Sequence, residues 1–323
     1  MPFSPTAPAT KPEPEDTEAL EMPAAETERR TEGTGSTWQQ ERQVRLTAQR
    51  ILAEHLRYDT AGYKRSTNPP GPNFWPGMSL NLAGATLIDF ELHNGVVADA
   101  DFRGATFTGK AVFGWTTFTS HAEFEEAAFT GEAWFSGAAF TEWALFSGAT
   151  FTGDARFDRA SFTLGAEFDK ATFTGDAEFH KAIFTGEARF FGAAFTGEAL
   201  FFKAAFTGDA RFDGASFNGD TRFSGAAFRG EAWFDRAAFT GGEFDGAVFI
   251  KRARFSEATF SRNENSLTFD RSRVLSPDAQ HVWPTGWCLG PDGSGGYTVV
   301  RADGLDTGLK PEEPPAAGTA RGS

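Results

Sequence analysis

From Phe102 to Phe260 a phenylalanine returns at steps that alternate between five and six residues, as at Phe129, Phe135, Phe140, Phe146, Phe151 and Phe157, so the pattern repeats every eleven residues. With few lapses a small residue stands two places before each Phe, as Ala155 before Phe157 and Ala160 before Phe162. A helical face needs apolar residues three or four apart, a rhythm absent here, so helix is excluded for this stretch. In an extended segment residues i and i+2 share a face, and Ala-x-Phe therefore turns two side chains inward together. The intervening Thr-Gly-Asp, Thr-Gly-Glu and Asp-Arg groups are polar or flexible and read as corners. Short strands joined by regular corners wrap into a coil whose successive turns pair their backbones about 4.8 Å apart, which stacks Phe on Phe.

Ahead of this stretch Leu82, Leu87, Leu92, Val97, Phe102 and Phe107 stand strictly five apart. Together these residues resemble the pentapeptide-repeat proteins, whose unit is a small residue, any residue, Leu or Phe, and two polar residues. From Phe107 the chain departs from that unit by alternating pentads with hexads, the extra residue falling in the Thr-Gly-acid corner. The resemblance covers about residues 80 to 260. It implies an all-β fold, a right-handed four-sided β-helix with one unit per side and 22 residues per coil. Thirty-four central positions from Leu82 to Phe260 then give 34/4, or about 8.5 coils. A two-sided solenoid of eleven residues per coil is the other geometry, and it has to fit facing Phe rings across a very thin core.

Residues 1–35, rich in Pro and Glu with hardly a large apolar side chain, are expected to be a disordered tail. Residues 36–78 read as a helix and a Pro-rich capping loop. Ser36 or Thr37 with Gln39 or Gln40 resembles a capping box, and the helix should reach about Arg57 with Val44, Ala48, Ile51, Leu52 and His55 or Leu56 as its apolar stripe. It is expected to cover the first coil; the alternative is a partner-binding or dimerising helix, which leaves a homodimer open. Phe74 and Trp75, in the proline-rich loop 68–77, are expected to plug the coil's end, which otherwise exposes the Phe column and unpaired strand edges. The repeats occupy 79–262. A C-terminal β-hairpin cap follows at 263–303, from strand-like runs at 283–289 and 297–301 around a glycine-rich turn. Residues 304–323 are a second expected disordered tail.

The net charge of −14 disfavours direct binding to nucleic acid or to an anionic membrane. With a single Cys288, no basic-then-apolar start and no apolar run long enough to span a bilayer, a cytoplasmic location is expected. The five histidines are scattered along the chain without metal-ligand spacing, and Cys288 between Trp287 and Leu289 reads as a small buried residue. The glycine-rich turn lacks the Lys-Ser/Thr of a phosphate cradle, and no strained Gly-x-Ser-x-Gly turn occurs. Neither enzymatic activity nor a cofactor or metal is expected.

A 22-residue coil puts Glu132, Asp154, Asp176, Glu198 and Asp220 at one corner of five successive coils, and Glu187, Asp209 and Glu231 at another. Such a column reads either as a stripe that binds cations or a basic protein, or as a solvated edge. The second reading draws on Arg156 beside Glu178 and Glu167 beside Arg189, pairs one coil apart. Leu200 and Phe202, flanking Phe201 on one face, are the candidate contact patch, for a partner or for a tail folding back. Some members of the family mimic duplex DNA and inhibit or protect DNA gyrase. The residues themselves favour a non-enzymatic scaffold that binds an unknown protein partner through its faces, with a DNA-mimicking gyrase modulator as the alternative. Phe157→Asp is expected to abolish folding while Arg156→Ser, one residue away and outward, leaves the thermal transition nearly unchanged; equal damage refutes the inward and outward assignment.

Overall fold

The computed structural model describes the backbone of residues 24–58, 71–261 and 266–304, with side chains of the first segment from Trp38. The expected tails therefore lie largely outside the described residues, as do the start of the proline-rich loop and residues 262–265. The described residues divide into two compact units between Val44 and Arg45.

In the larger unit the Ala-x-Phe segments form two- and three-residue strands that fall into four parallel sheets. In chain order the first face begins at Leu80–Asn81, the second at Thr86–Ile88, the fourth at Val96–Val97 and the third at Ala111–Val112. Glu91 extends the third face by an isolated bridge to Val112. Nine strands line the first and second faces, so the solenoid makes about nine turns. Neighbours in a sheet are one whole coil apart: Thr150 pairs with Thr172, and Phe151 with Phe173. Where pentads and hexads alternate the period is thus 22 residues, against 20 in the entry coil where Leu80 pairs with Ala100, and the coil is four-sided, which removes the two-sided alternative. A short corner at Gly241 and Gly242 reduces one coil to 21, seen as Ala232 paired with Ala253.

Each face sends one column of Phe rings inward, all but completely buried. Within a column the rings lie parallel, with centroids 4.8 Å apart and planes 1° apart for Phe151 on Phe173 and for Phe173 on Phe195. Between the first and third faces they meet edge to face, as Phe146 and Phe157 do at 5.5 Å and 88°. Both geometries suit the ring quadrupole, each worth about 0.5–1.5 kcal/mol beyond the area buried. The Ala two places before each Phe is equally buried, and Thr116, Thr221 and Leu267 are buried at the same position in their coils.

Two kinds of corner alternate. At the Thr-Gly-acid corner the glycines stack: a Cβ on Gly175 would lie 2.6 Å from the carbonyl carbon of Gly153, and one on Gly153 2.7 Å from that of Gly131. At the other corner the chain runs Phe-x-x-Ala, and the Ala N–H returns to the Phe carbonyl, as Ala160 does to Phe157 at 3.0 Å. The third residue of this turn has positive φ. Glycine supplies it at Gly214 and Gly246, whereas Arg159, Lys170, Lys181 and Lys203 hold it as left-handed non-glycine residues.

The helix, α1, spans Ala24–Leu56 and so starts well before the expected cap at Ser36 or Thr37. Ala24-Ala-Glu-Thr-Glu-Arg-Arg is a run of mostly good helix formers without proline, and its composition had been read as tail. In the smaller unit Trp38 and Val44 are exposed. In the larger unit the buried face of α1 is Gln49, Ala53 and Leu56, rotated from the expected stripe: Ile51 is exposed and Ala48 faces solvent. The reason is Gln49, whose side-chain amide donates to the Ile88 carbonyl at 2.7 Å and accepts from the Ile88 N–H at 2.9 Å. A polar side chain outside the expected apolar stripe thus completes the backbone ladder at the exposed edge of the first coil. Phe74 and Trp75 do not plug that end. Trp75 stacks on His55 at 4.0 Å, Phe74 packs on Tyr58, and the fully buried Leu56 joins the core instead.

At the other end an antiparallel hairpin, Trp287–Pro291 with Tyr297–Arg301, adds to the fourth face through Val274 and Tyr297. Trp283 closes the core there, its ring 5.4 Å from Phe249 and 6.0 Å from Phe269.

Gly175→Ala is expected to cost about 1–3 kcal/mol, because the new methyl meets backbone that cannot step aside. Lys181→Gly is expected to hold or raise stability, since it relieves a left-handed lysine. Thermal unfolding of the two variants checks both; an unchanged transition for Gly175→Ala contradicts the stacked-corner explanation.

Candidate functional site

The register assembles side chains from distant parts of the sequence into outward columns. Ala133, Ala155, Ala177, Ala199 and Thr221 pair in succession on the third face. Glu132, Asp154, Asp176, Glu198 and Asp220, the residues just before them, therefore occupy one corner as expected.

These carboxylates are engaged in the fold. Asp154 Oδ1 accepts the Asp176 N–H at 3.3 Å, and Asp176 Oδ1 accepts the Glu198 N–H at 2.9 Å. At the second acidic corner Asp209 Oδ1 accepts the Glu231 N–H at 2.9 Å. Each such acid satisfies a backbone donor of the next coil. Cations hold carboxylates of the column as well: Lys110 reaches Glu132 at 3.8 Å, Arg156 reaches Asp154 at 3.4 Å, and Arg222 reaches Asp220 at 3.9 Å. Both pairs expected one coil apart form, Arg156 with Glu178 at 3.2 Å and Arg189 with Glu167 at 2.9 Å. Half-exposed pairs of this kind contribute at most about 1 kcal/mol each.

Leu200 and Phe202 do not share one face. Leu200 sits half-buried on the third face, in register between Glu178 and Arg222. Phe202 stands at the corner between the third and fourth faces, 39% exposed, with Lys203 Nζ 4.8 Å from its ring centre.

The fourth face carries a patch that single-residue reasoning missed. Its outward strand positions are Thr117, Ala139, Ser161, Ile183, Ala205, Ala227 and Val248 in register. None of these seven is charged, and Arg273 follows Val248 in the register, whereas the first and third faces mix Arg and Glu with Trp and Leu; the second face, with Thr150, Thr172, Ala194 and Ser216, is also uncharged but lacks large apolar side chains. Ile183 is exposed at the centre of this face, Leu164 at the following corner one coil below and Phe202 at the preceding corner one coil above. Three exposed apolar side chains thus cross the face diagonally. The signal is present in the sequence only when every twenty-second residue is read together.

The register also joins acid and imidazole. Asp158, Glu178 and His180 bring one ligand atom each to within 4.8 Å of one another. Burial raises the carboxyl of Asp158 above its ordinary range, and does the same for Glu178. The histidine reading along the chain could not find this group, because Asp158 and His180 are 22 residues apart.

The family model of pentapeptide repeats matches residues 97–139, 135–183, 157–204, 179–227, 201–244 and 223–273. These segments span more than half of the chain, and the protein belongs to the pentapeptide-repeat family. No match is found among the curated proteins. Among the described residues no helix is long and apolar enough to cross a membrane.

Replacing Asp154 and Asp176 by Asn and Glu198 by Gln together is expected to shift the melting temperature little, because an amide oxygen still accepts the next coil's N–H. Asp176→Ala, which orphans the Glu198 N–H, is expected to cost about 0.5–1.5 kcal/mol. Calorimetric unfolding compares the two; a larger loss in the triple variant contradicts the structural role given to these oxygens.

Proposed function

We propose that this pentapeptide-repeat solenoid is a non-enzymatic scaffold that binds a protein partner across its fourth face. The observation that carries the reading is the diagonal of exposed Leu164, Ile183 and Phe202 across the fourth face, where the outward strand positions from 117 to 248 carry no charge. A flat, rigid strip with aromatic and aliphatic anchors and a charged rim has the composition of a protein-contact surface. Its rigidity also means that little conformational entropy is lost on association. The partner is a protein with a complementary flat apolar strip, and no cofactor is involved.

The DNA-mimicking reading draws on the column Glu132, Asp154, Asp176, Glu198 and Asp220. It is the weaker one, because several of those oxygens already accept backbone N–H groups or pair with Lys110, Arg156 and Arg222.

Affinity capture from a bacterial lysate with the full chain discriminates the two, using wild type, Ile183→Glu with Phe202→Ser, and the triple-neutralised column variant. A partner retained by wild type and the column variant but lost from the fourth-face variant supports the scaffold reading. Purified gyrase is expected to supercoil DNA normally at stoichiometric protein. Inhibition that disappears with the column variant replaces this reading with DNA mimicry.

A further inference from the structure

We infer that Asp158, Glu178 and His180 form a binding site for a divalent transition cation, with Zn²⁺ the best match to one imidazole and two carboxylates. Successive coils place Asp158, His180 and Phe202 in one corner column, since Arg159 N–H bonds to the His180 carbonyl and Lys181 N–H to that of Phe202, both at 2.9 Å. Glu178 lies two residues before His180, on the adjoining third face, where it pairs in register with Arg156 and Leu200. The ligand atoms thus come from two coils whose spacing the Phe columns fix.

Two independent features point to a ligand. The first is the donor set itself: three ligand atoms mutually within 4.8 Å. A Zn²⁺ with bonds of about 2.1 Å holds its ligands about 3.4 Å apart, a contraction within reach of small side-chain rotations. The second is that Asp158 Oδ1 and His180 Nδ1 are both shielded from solvent and make no hydrogen bond. Such atoms are costly unless something satisfies them, and a cation satisfies both at once. Arg156 Nε occupies Glu178 Oε1 at 3.2 Å, which leaves the second carboxylate oxygen for the metal.

The surroundings suit a bound ion. The Phe202 ring, 6.3 Å from His180 and nearly perpendicular to it, covers the site from the next coil, and Leu200 flanks Glu178. An apolar cover lowers the local dielectric and strengthens metal–ligand attraction. The burial that raises both carboxyls disfavours their charged forms, and a divalent cation reverses that penalty. Arg156 and Arg159 are the nearby opposing charges. Three protein ligands leave a fourth position open, the arrangement of a site that also admits water or a group from another molecule.

The test uses tag-free full-length protein stripped with chelator, then titrated with Zn²⁺ by calorimetry and with Co²⁺ by visible absorption. One equivalent is expected to bind with Kd of about 10 μM or tighter, to raise the melting temperature, and to give Co²⁺ bands of low-coordinate type. Ser136 and Ser224 occupy the position of His180 in other coils, so His180→Ser is compatible with the fold. That variant and Asp158→Asn are expected to weaken binding at least about 10-fold while melting normally in chelator. Should either variant melt early, the wild-type titration still decides. Absence of saturable binding below about 1 mM, or equal binding by wild type and both variants, overturns the assignment.

Discussion

The solenoid depends on a coincidence of lengths. Backbone hydrogen bonding between parallel strands fixes successive coils about 4.8 Å apart, and phenyl rings attached at the same point of each coil then stack with centroids 4.7 to 4.9 Å apart along the middle of the second-face column. Neither partner yields: the ladder cannot open without losing hydrogen bonds, and the rings cannot tilt without striking the perpendicular rings of the next column. Four columns of identical side chains therefore impose one pitch on every corner. The stacked glycines and the acids that accept the next coil's N–H are both responses to that pitch.

This rigid pitch shapes what the surface can do. Outward residues form straight columns at a spacing set by the backbone, so a substitution at one position alters a column rather than a local patch. Two faces carry charged residues, some of them paired between coils as Arg156 with Glu178 and Arg189 with Glu167, and the fourth presents mostly small uncharged residues with a few large apolar ones. Much of the acidity that dominates the composition serves the corners. Asp176 and Asp209 each turn a carboxylate oxygen to a backbone N–H that the ladder leaves over.

Most of the architecture was legible from the spacing of Phe and Ala, because both the strand alternation and the coil period are written in residues that have no other place to go. The hairpin around 290–296 was legible for the same reason, two β-prone runs about a glycine-rich turn. The ends were less so. Gln49 reads as surface in any hydropathy argument, and its burial follows from a strand edge that exists only once the coil has formed. The start of α1 at Ala24 was hidden by the many prolines before it, which marked the whole region as tail. Trp75 looked like a plug on hydrophobicity alone, yet its ring is held by His55. On the surface, the acidic column and the cross-coil ion pairs were foreseen by counting in steps of 22. The grouping of Asp158 with Glu178 and His180, and the diagonal of Leu164, Ile183 and Phe202, required knowing which face each residue adopts.

The account rests on four sides per coil, and a distance along one face tests it most directly. In a Cys288→Ser background, spin labels at Thr117→Cys and Ala227→Cys sit on the fourth face five coils apart, by the register that joins 117, 139, 161, 183, 205 and 227. Pulsed electron paramagnetic resonance is then expected to give one narrow distance of about 24 Å, five strand spacings. A distance near 48 Å, twice as many coils for the same residues, or a broad distribution without a peak, contradicts the four-sided solenoid and with it every column described above.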